Sequence, residues 1–328
     1  MAFESSTYTN QEDLMTKLHT FAVAGGTDGT WTNGELDTVN DEMAISKGTV
    51  FVQFTWDNTN HIWVFQSTGY DGSAPGSNPG DSGNGADGNT NTRRVELIGN
   101  GGGTYWFFSN ATGAGESYIH VVIEYTPGFF RHFGFGDLVK VGDWAGGAYA
   151  YGHTWDQAAG AIDTPNDSGH SVLLDSLPNV TAECATIRME GFQGEPSASS
   201  KWGVIGGITS AGNDSDGVGR TPCFGGSRGG PYVRSFGGFV ASALTGAVPG
   251  CPVSVIYQNL APAPDRWFFM GYQPDVRVAN IRAFEPKQEY AFGSETWIPF
   301  PIVRKAWASN PDIEQSGNGG IFYKKNTT

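Results

Sequence analysis

In Thr49-Val50-Phe51-Val52-Gln53-Phe54-Thr55-Trp56 the residues at 50, 52, 54 and 56 are all apolar. That period of two belongs to a strand with one buried face. The apolar run returns at Ile62 to Phe65 after Asp57-Asn58-Thr59-Asn60, so the two runs predict a β-hairpin. A second hairpin is expected from Tyr118 to Phe135, turning at Pro127-Gly128. A symmetric turn there sets Glu124 opposite Arg131 and Ile123 opposite His132. The charged pair then reads as a cross-strand ion pair, worth under ~1 kcal/mol if exposed.

One helix stands out against this pattern, at roughly 10 to 24. Thr9 and Glu12 have capping-box spacing, and Leu14, Leu18, Phe21 and Ala22 fall on one face that should pack on a sheet. Aromatic and small residues alternate from Tyr149 to Trp155, just after Asp143-Trp144-Ala145-Gly146-Gly147, as in closely packed strands or a glycine bend. Further strand-like runs lie at Val253 to Tyr257, Trp267 to Tyr272, Val276 to Phe284 and Trp297 to Val303, punctuated by Pro262, Pro264, Pro274 and Pro286. Residues 69 to 92 are nearly all Gly, Asn, Asp, Ser, Thr and Pro, a long loop that a neighbouring chain could order. The fold class expected is mainly β: antiparallel, sandwich-like sheets with long Gly-rich loops and one N-terminal amphipathic helix. Residues 1–190 read as a helix plus hairpin-rich region, 191–231 as a Gly/Ser-rich excursion or soft boundary, and 232–328 as a C-terminal β region, with a single domain also open.

Composition agrees with that class. Forty-eight glycines and 13 % aromatics against 16 % charged residues suit turns and flat strands more than surface helices. The formal charge of −14 repels phosphate, so nucleic acid is not an expected partner. Arg93-Arg94, Arg304-Lys305 and Lys324-Lys325 read as solvated pairs rather than phosphate clamps. Cys184, Cys223 and Cys251 form no CxxC pair and fit a reducing compartment. No signal peptide is evident at Met1-Ala2-Phe3-Glu4, and no apolar run reaches the ~20 residues of a membrane span.

Candidate chemistry is sparse. No Gly-Lys dipeptide occurs, so a P-loop is excluded. Gly169-His170-Ser171 approaches a hydrolase elbow but carries Leu173 where the second glycine is needed. Histidines 19, 61, 120, 132, 153 and 170 show no zinc spacing. Asn213-Asp214-Ser215-Asp216-Gly217 supplies oxygens but lacks the Glu at position 12 of a calcium loop, and reads as a turn. No catalytic, metal or cofactor residue is expected. Trp144, Tyr149, Tyr151 and Trp155 could floor a sugar-binding surface, although aromatics filling the inside of a sheet is the plainer reading. Two carboxylates facing one cleft would be needed for glycoside hydrolysis, and 33 acids leave that arrangement open.

Several segments together resemble uncharacterised virion proteins of tailed phages. They are Gln11-Glu12-Asp13-Leu14 to Thr20-Phe21-Ala22, Gln66-Ser67-Thr68-Gly69-Tyr70, Ser117-Tyr118-Ile119-His120, Tyr125-Thr126-Pro127-Gly128 and Arg131-His132-Phe133-Gly134-Phe135-Gly136. Trp144-Ala145-Gly146-Gly147, Tyr149-Ala150-Tyr151-Gly152-His153, Thr296-Trp297-Ile298-Pro299-Phe300-Pro301 before Arg304-Lys305, and Gly319-Gly320-Ile321-Phe322-Tyr323-Lys324 complete the set. The resemblance covers a third to a half of the chain and does not extend to about 191–250. It implies a non-enzymatic structural part of the particle, made in the host cytoplasm, at the tail tip or baseplate, bound to other virion proteins and copies of itself. A glycan- or receptor-binding tail module, a capsid decoration protein and a polysaccharide-degrading tail enzyme are the alternatives, host surface glycan being the further partner.

Overall fold

A computed structural model describes residues 2–23, 31–57, 61–80, 93–96, 101–110, 116–152, 185–190, 202–205, 222–223, 251–259, 266–301 and 319–326. Its first elements are β1 (Phe3–Tyr8), α1 (Gln11–Val23), β2 (Thr32–Asp37), β3 (Glu42–Lys47), β4 (Val50–Trp56), β5 (His61–Ser67) and β6 (Arg93–Glu96). There follow β7 (Gly103–Ser109), β8 (Tyr118–Thr126), β9 (Phe129–Asp137), β10 (Val139–Lys140), β11 (Ala145–Gly152), β12 (Ala185–Glu190) and β13 (Trp202–Ile205). The last are β14 (Pro222–Cys223), β15 (Cys251–Asn259), β16 (Arg266–Asn280), β17 (Tyr290–Phe292), β18 (Glu295–Pro301) and β19 (Gly319–Lys325).

These strands form three antiparallel sheets in layers. The central sheet runs β1-β7-β8-β9-β11-β12-β13. On one face it packs against α1 and the sheet β2-β3-β4-β5-β6, burying Tyr105, Phe107, Ile119, Val121, Ile123, Phe133 and Phe135 with Leu14, Leu18, Phe21, Val52 and Phe54. Its other face buries Trp106, Phe108, Val122, Phe130, Tyr149 and Tyr151 against Met270, Val276, Ile298, Phe300 and Tyr323 of the sheet β14-β15-β16-β19-β18-β17. A sheet covered on both faces needs apolar residues at consecutive positions, which is why β7 and β8 read Tyr-Trp-Phe-Phe and Val-Val-Ile while β4 alternates.

The strand β8 meets several elements of the C-terminal sheet in turn. Tyr118 meets Asp275 of β16, and the His120 ring lies 5.6 Å from the Tyr323 ring of β19. Glu124, further along, meets Lys287, whose amide bonds to Pro299 of β18.

Three details differ from the sequence reading. The helix cap is Asn10, whose Oδ1 accepts the Asp13 amide at 2.8 Å, while Asp13 reaches back to the Thr9 amide at 2.8 Å; the box is therefore one residue later than Thr9 and Glu12 suggest. In the β8-β9 hairpin, a bulge at Tyr125 pairs Glu124 with Phe130 and Ile123 with Arg131. That one-residue slip puts Glu124 and Arg131 on opposite faces; Glu124 pairs with Lys287 at 3.1 Å, and Arg131 lies over the Tyr125 ring. The runs at 267–272 and 276–284 are joined in the one strand β16, whose ladder with β15 shifts by a bulge between Pro252 and Ser254, opposite Pro274 and Asp275. Asp275 adopts φ 52° there.

The boundaries at 190 and 232 also cut through shared structure. β10 belongs to the C-terminal sheet, and β13, within the supposed excursion, extends the central one. Of the long polar loop, 69–80 folds back on itself around the buried Asn78, whose Nδ2 donates to the Ser73 carbonyl at 2.8 Å; 81–92 lies outside the described residues. The cap assignment predicts that Asn10→Ala lowers stability by about 1 kcal/mol in urea denaturation and that Thr9→Ala lowers it by less. Equal losses would contradict the assignment.

Candidate functional site

Three of the four aromatics singled out from sequence do not line a surface. Trp144, Tyr149 and Tyr151 are buried in the second core, and the Trp144 indole donates to the Met270 carbonyl at 3.2 Å. β11 turns Tyr149 and Tyr151 to this core and Ala148 and Ala150 to the other, which is the alternation the sequence displays. The core-filling reading describes these three; Trp155 lies outside the described residues, as do Gly169 to Ser171 and Asn213 to Gly217. Among the basic pairs, Lys324 and Lys325 are held by Glu295 and Glu289 at 2.7 and 2.6 Å.

What the structure does bring together is a polar seam sealed between the central and C-terminal sheets. His120 on β8 and His132 on β9 are both fully buried. His120 Nε2 lies 3.0 Å from the Pro274 carbonyl and Nδ1 3.0 Å from the Tyr151 hydroxyl. His132 repeats the arrangement, with Nε2 2.9 Å from the Pro301 carbonyl and Nδ1 3.0 Å from the Tyr323 hydroxyl. A carbonyl only accepts, so in the neutral ring Nε2 carries the proton and Nδ1 accepts from the tyrosine. The Tyr151 and Tyr323 hydroxyls adjoin, making the two units continuous.

Local features of the chain build this seam. The β16 bulge aims the Pro274 carbonyl and the Asp275 carboxylate at the central sheet. Asp275 Oδ2 accepts from the Tyr118 hydroxyl at 2.5 Å and from Asn326 Nδ2 at 2.9 Å. Gly134 leaves room for the Tyr151 ring, since a Cβ there would sit 2.7 Å from it. Burial keeps the hydroxyls of Tyr118, Tyr149, Tyr151 and Tyr323 protonated well beyond the usual tyrosine range.

Burial also holds the His120 imidazole down at about 4, against 6.5 for a free ring, with the Pro274 carbonyl and Asp275 pulling weakly the other way. It lifts the Asp137 carboxyl from 3.8 to about 6, opposed by Lys140. Chemically the seam is a set of polar groups, each histidine held between a tyrosine hydroxyl and a main-chain carbonyl. Both nitrogens of each imidazole face protein partners, an arrangement that positions sheets.

Sequence reasoning passed over His120 and His132 as scattered. Their spacing gave no signal, because a symmetric turn sets them on opposite faces and only the bulged register places both on the same face. Elsewhere His61 pairs with Asp57 at 2.8 Å and His19 Nε2 lies 2.9 Å from Asn33 Oδ1. Among the described residues no group of three His, Cys, Asp or Glu is placed to hold a metal ion, and no helix is long and apolar enough to cross a membrane. No protein-family model and no curated protein matches the chain.

Two predictions follow from the seam and its surroundings. Tyr323→Phe leaves a buried imidazole nitrogen without its donor and should cost about 1–3 kcal/mol in urea denaturation; a neutral substitution would show that the hydroxyl is not needed. The second concerns acid. His120, with its lowered pKa, contributes stability above pH 6.5 that is lost as pH falls towards 4, whereas Asp137, with its raised pKa, contributes below 3.8 and loses its contribution as pH rises through 6. Between pH 4 and 6 the two offset each other. Asp137→Asn should therefore steepen the loss of stability on acidification across that window by up to about 1.4 kcal/mol per pH unit, and parallel profiles for the two proteins would contradict it.

Proposed function

We propose that the chain is a structural subunit of a tailed-phage virion, at the tail tip or baseplate, working through contacts with other virion proteins and with copies of itself. One observation carries the reading. Five of the nine segments that resemble tailed-phage virion proteins converge on a single interface: His120, His132, Tyr151, Pro301 and Tyr323 come from them and make the polar seam. What those segments have in common is therefore the means of fixing one sheet upon another, which is architecture rather than turnover. The acidic charge of −14 supports it further, since subunits of like charge stay apart until specific contacts form.

A glycan-binding module needs flat aromatic faces open to solvent, and Trp144, Tyr149 and Tyr151 lie inside the core. A capsid decoration protein belongs to the same structural class and is separated by position alone. Immunogold labelling of intact particles with an antibody to this chain should mark the end of the tail distal to the head. Label confined to the capsid shell would overturn the placement, and a chain absent from purified particles would overturn the reading as a whole.

A further inference from the structure

The ladder between β1 and β7 fixes where each main-chain group of β1 points. Ser109 donates its amide to the Ala2 carbonyl at 2.8 Å, and pairing continues from Phe3 with Phe108 to Tyr8 with Gly103. Antiparallel pairs alternate between bonded and non-bonded, so Glu4, Ser6 and Tyr8 direct their N–H and C=O groups to β7. Phe3, Ser5 and Thr7 turn theirs outward. Lys17 bears this out, its Nζ donating to the Thr7 carbonyl at 2.8 Å from the open side. Among the described residues no strand pairs with β1 on that side, and Ser5, Ser6 and Thr7 are exposed.

Natural sheets guard such edges with proline, inward charges, bulges or a covering segment. The six residues of β1 contain no proline, and their ladder has no bulge. Lys17 guards one carbonyl and leaves the N–H and C=O of Phe3 and Ser5 and the N–H of Thr7. Donors and acceptors in that spacing are met by an extended strand.

We propose that β1 pairs antiparallel with β1 of a second copy of this chain, across a twofold axis at Ser5. In that register Phe3 faces Thr7 of the second copy, Glu4 faces its Ser6 and Ala2 faces its Tyr8, so no like charges stand directly opposite. The charges present are complementary. Glu4 lies on the face of the central sheet that α1 covers, where its Oε1 accepts from the Tyr105 hydroxyl at 2.5 Å. Pairing draws Lys17 off the Thr7 carbonyl, beside which stands Phe3 of the second copy, and hence that copy's Glu4. The twofold axis makes this exchange twice, in a closed isologous contact. The inference deepens the assembly reading by naming one of its partners.

The test uses the purified full chain. Sedimentation over a concentration series should show a dimer. Ser5→Pro should raise its dissociation constant at least tenfold with an unchanged circular dichroism spectrum, because among the described residues the Ser5 N–H serves no bond and edge strands tolerate proline there. A wild-type monomer at all concentrations, or an undiminished dimer for Ser5→Pro, would each overturn the pairing. A monomer that still labels the tail sinks this inference and leaves the assembly reading standing; a dimer absent from purified particles does the reverse.

Discussion

Two imidazoles sealed between sheets constrain everything around them. A buried ring nitrogen without a partner costs about 1–3 kcal/mol, so the facing sheet must present matching groups at matching positions. Pro274, Pro301 and Tyr323 do so, and Tyr151 completes the set from the central sheet itself. The aromatic packing around them, such as Trp106, Phe130 and Phe300 within 5.0 to 6.3 Å of one another, supplies most of the cohesion. Hydrophobic attraction is not directional and tolerates sliding; the seam does not. We therefore assign the strength of the interface to its aromatics and its register to its histidines.

The same division explains what the sequence made legible. The helix, both hairpins and the strand pairs built on them follow from periodicity, because burial of one face leaves a repeat of two or of 3.6 along the chain. Register does not leave such a trace. The bulge at Tyr125 carries no glycine or proline of its own, and without it a symmetric turn places His132 on the face opposite to His120. One residue thus concealed the seam.

Pro274 was misleading for a related reason. Proline normally interrupts a ladder because it has no N–H to give, yet at a bulge that donor is not required, and its carbonyl is then free to face the neighbouring sheet. Trp144, Tyr149 and Tyr151 were ambiguous because alternation reveals that one face differs from the other without revealing what covers it. Here a third layer covers it, whose covering strands β15, β16, β18 and β19 lie about a hundred residues or more further along the chain, a relation no local pattern encodes.

A seam whose histidines and tyrosines face one another leaves the surface and the strand edges to meet other molecules. Like-charged copies repel at long range, but at physiological salt that repulsion fades within about 8 Å, whereas main-chain bonding acts at contact and with fixed spacing. Short polar strands are therefore suited to joining acidic subunits that must remain separate when dilute. Lys17 fits both conditions: in the lone chain it neutralises Asp13 at 2.8 Å and blocks an edge carbonyl, and it holds that carbonyl by a single exposed bond that a stronger ladder can displace. The guard on the edge is weak enough to yield to a matching strand and sufficient to discourage a poor one.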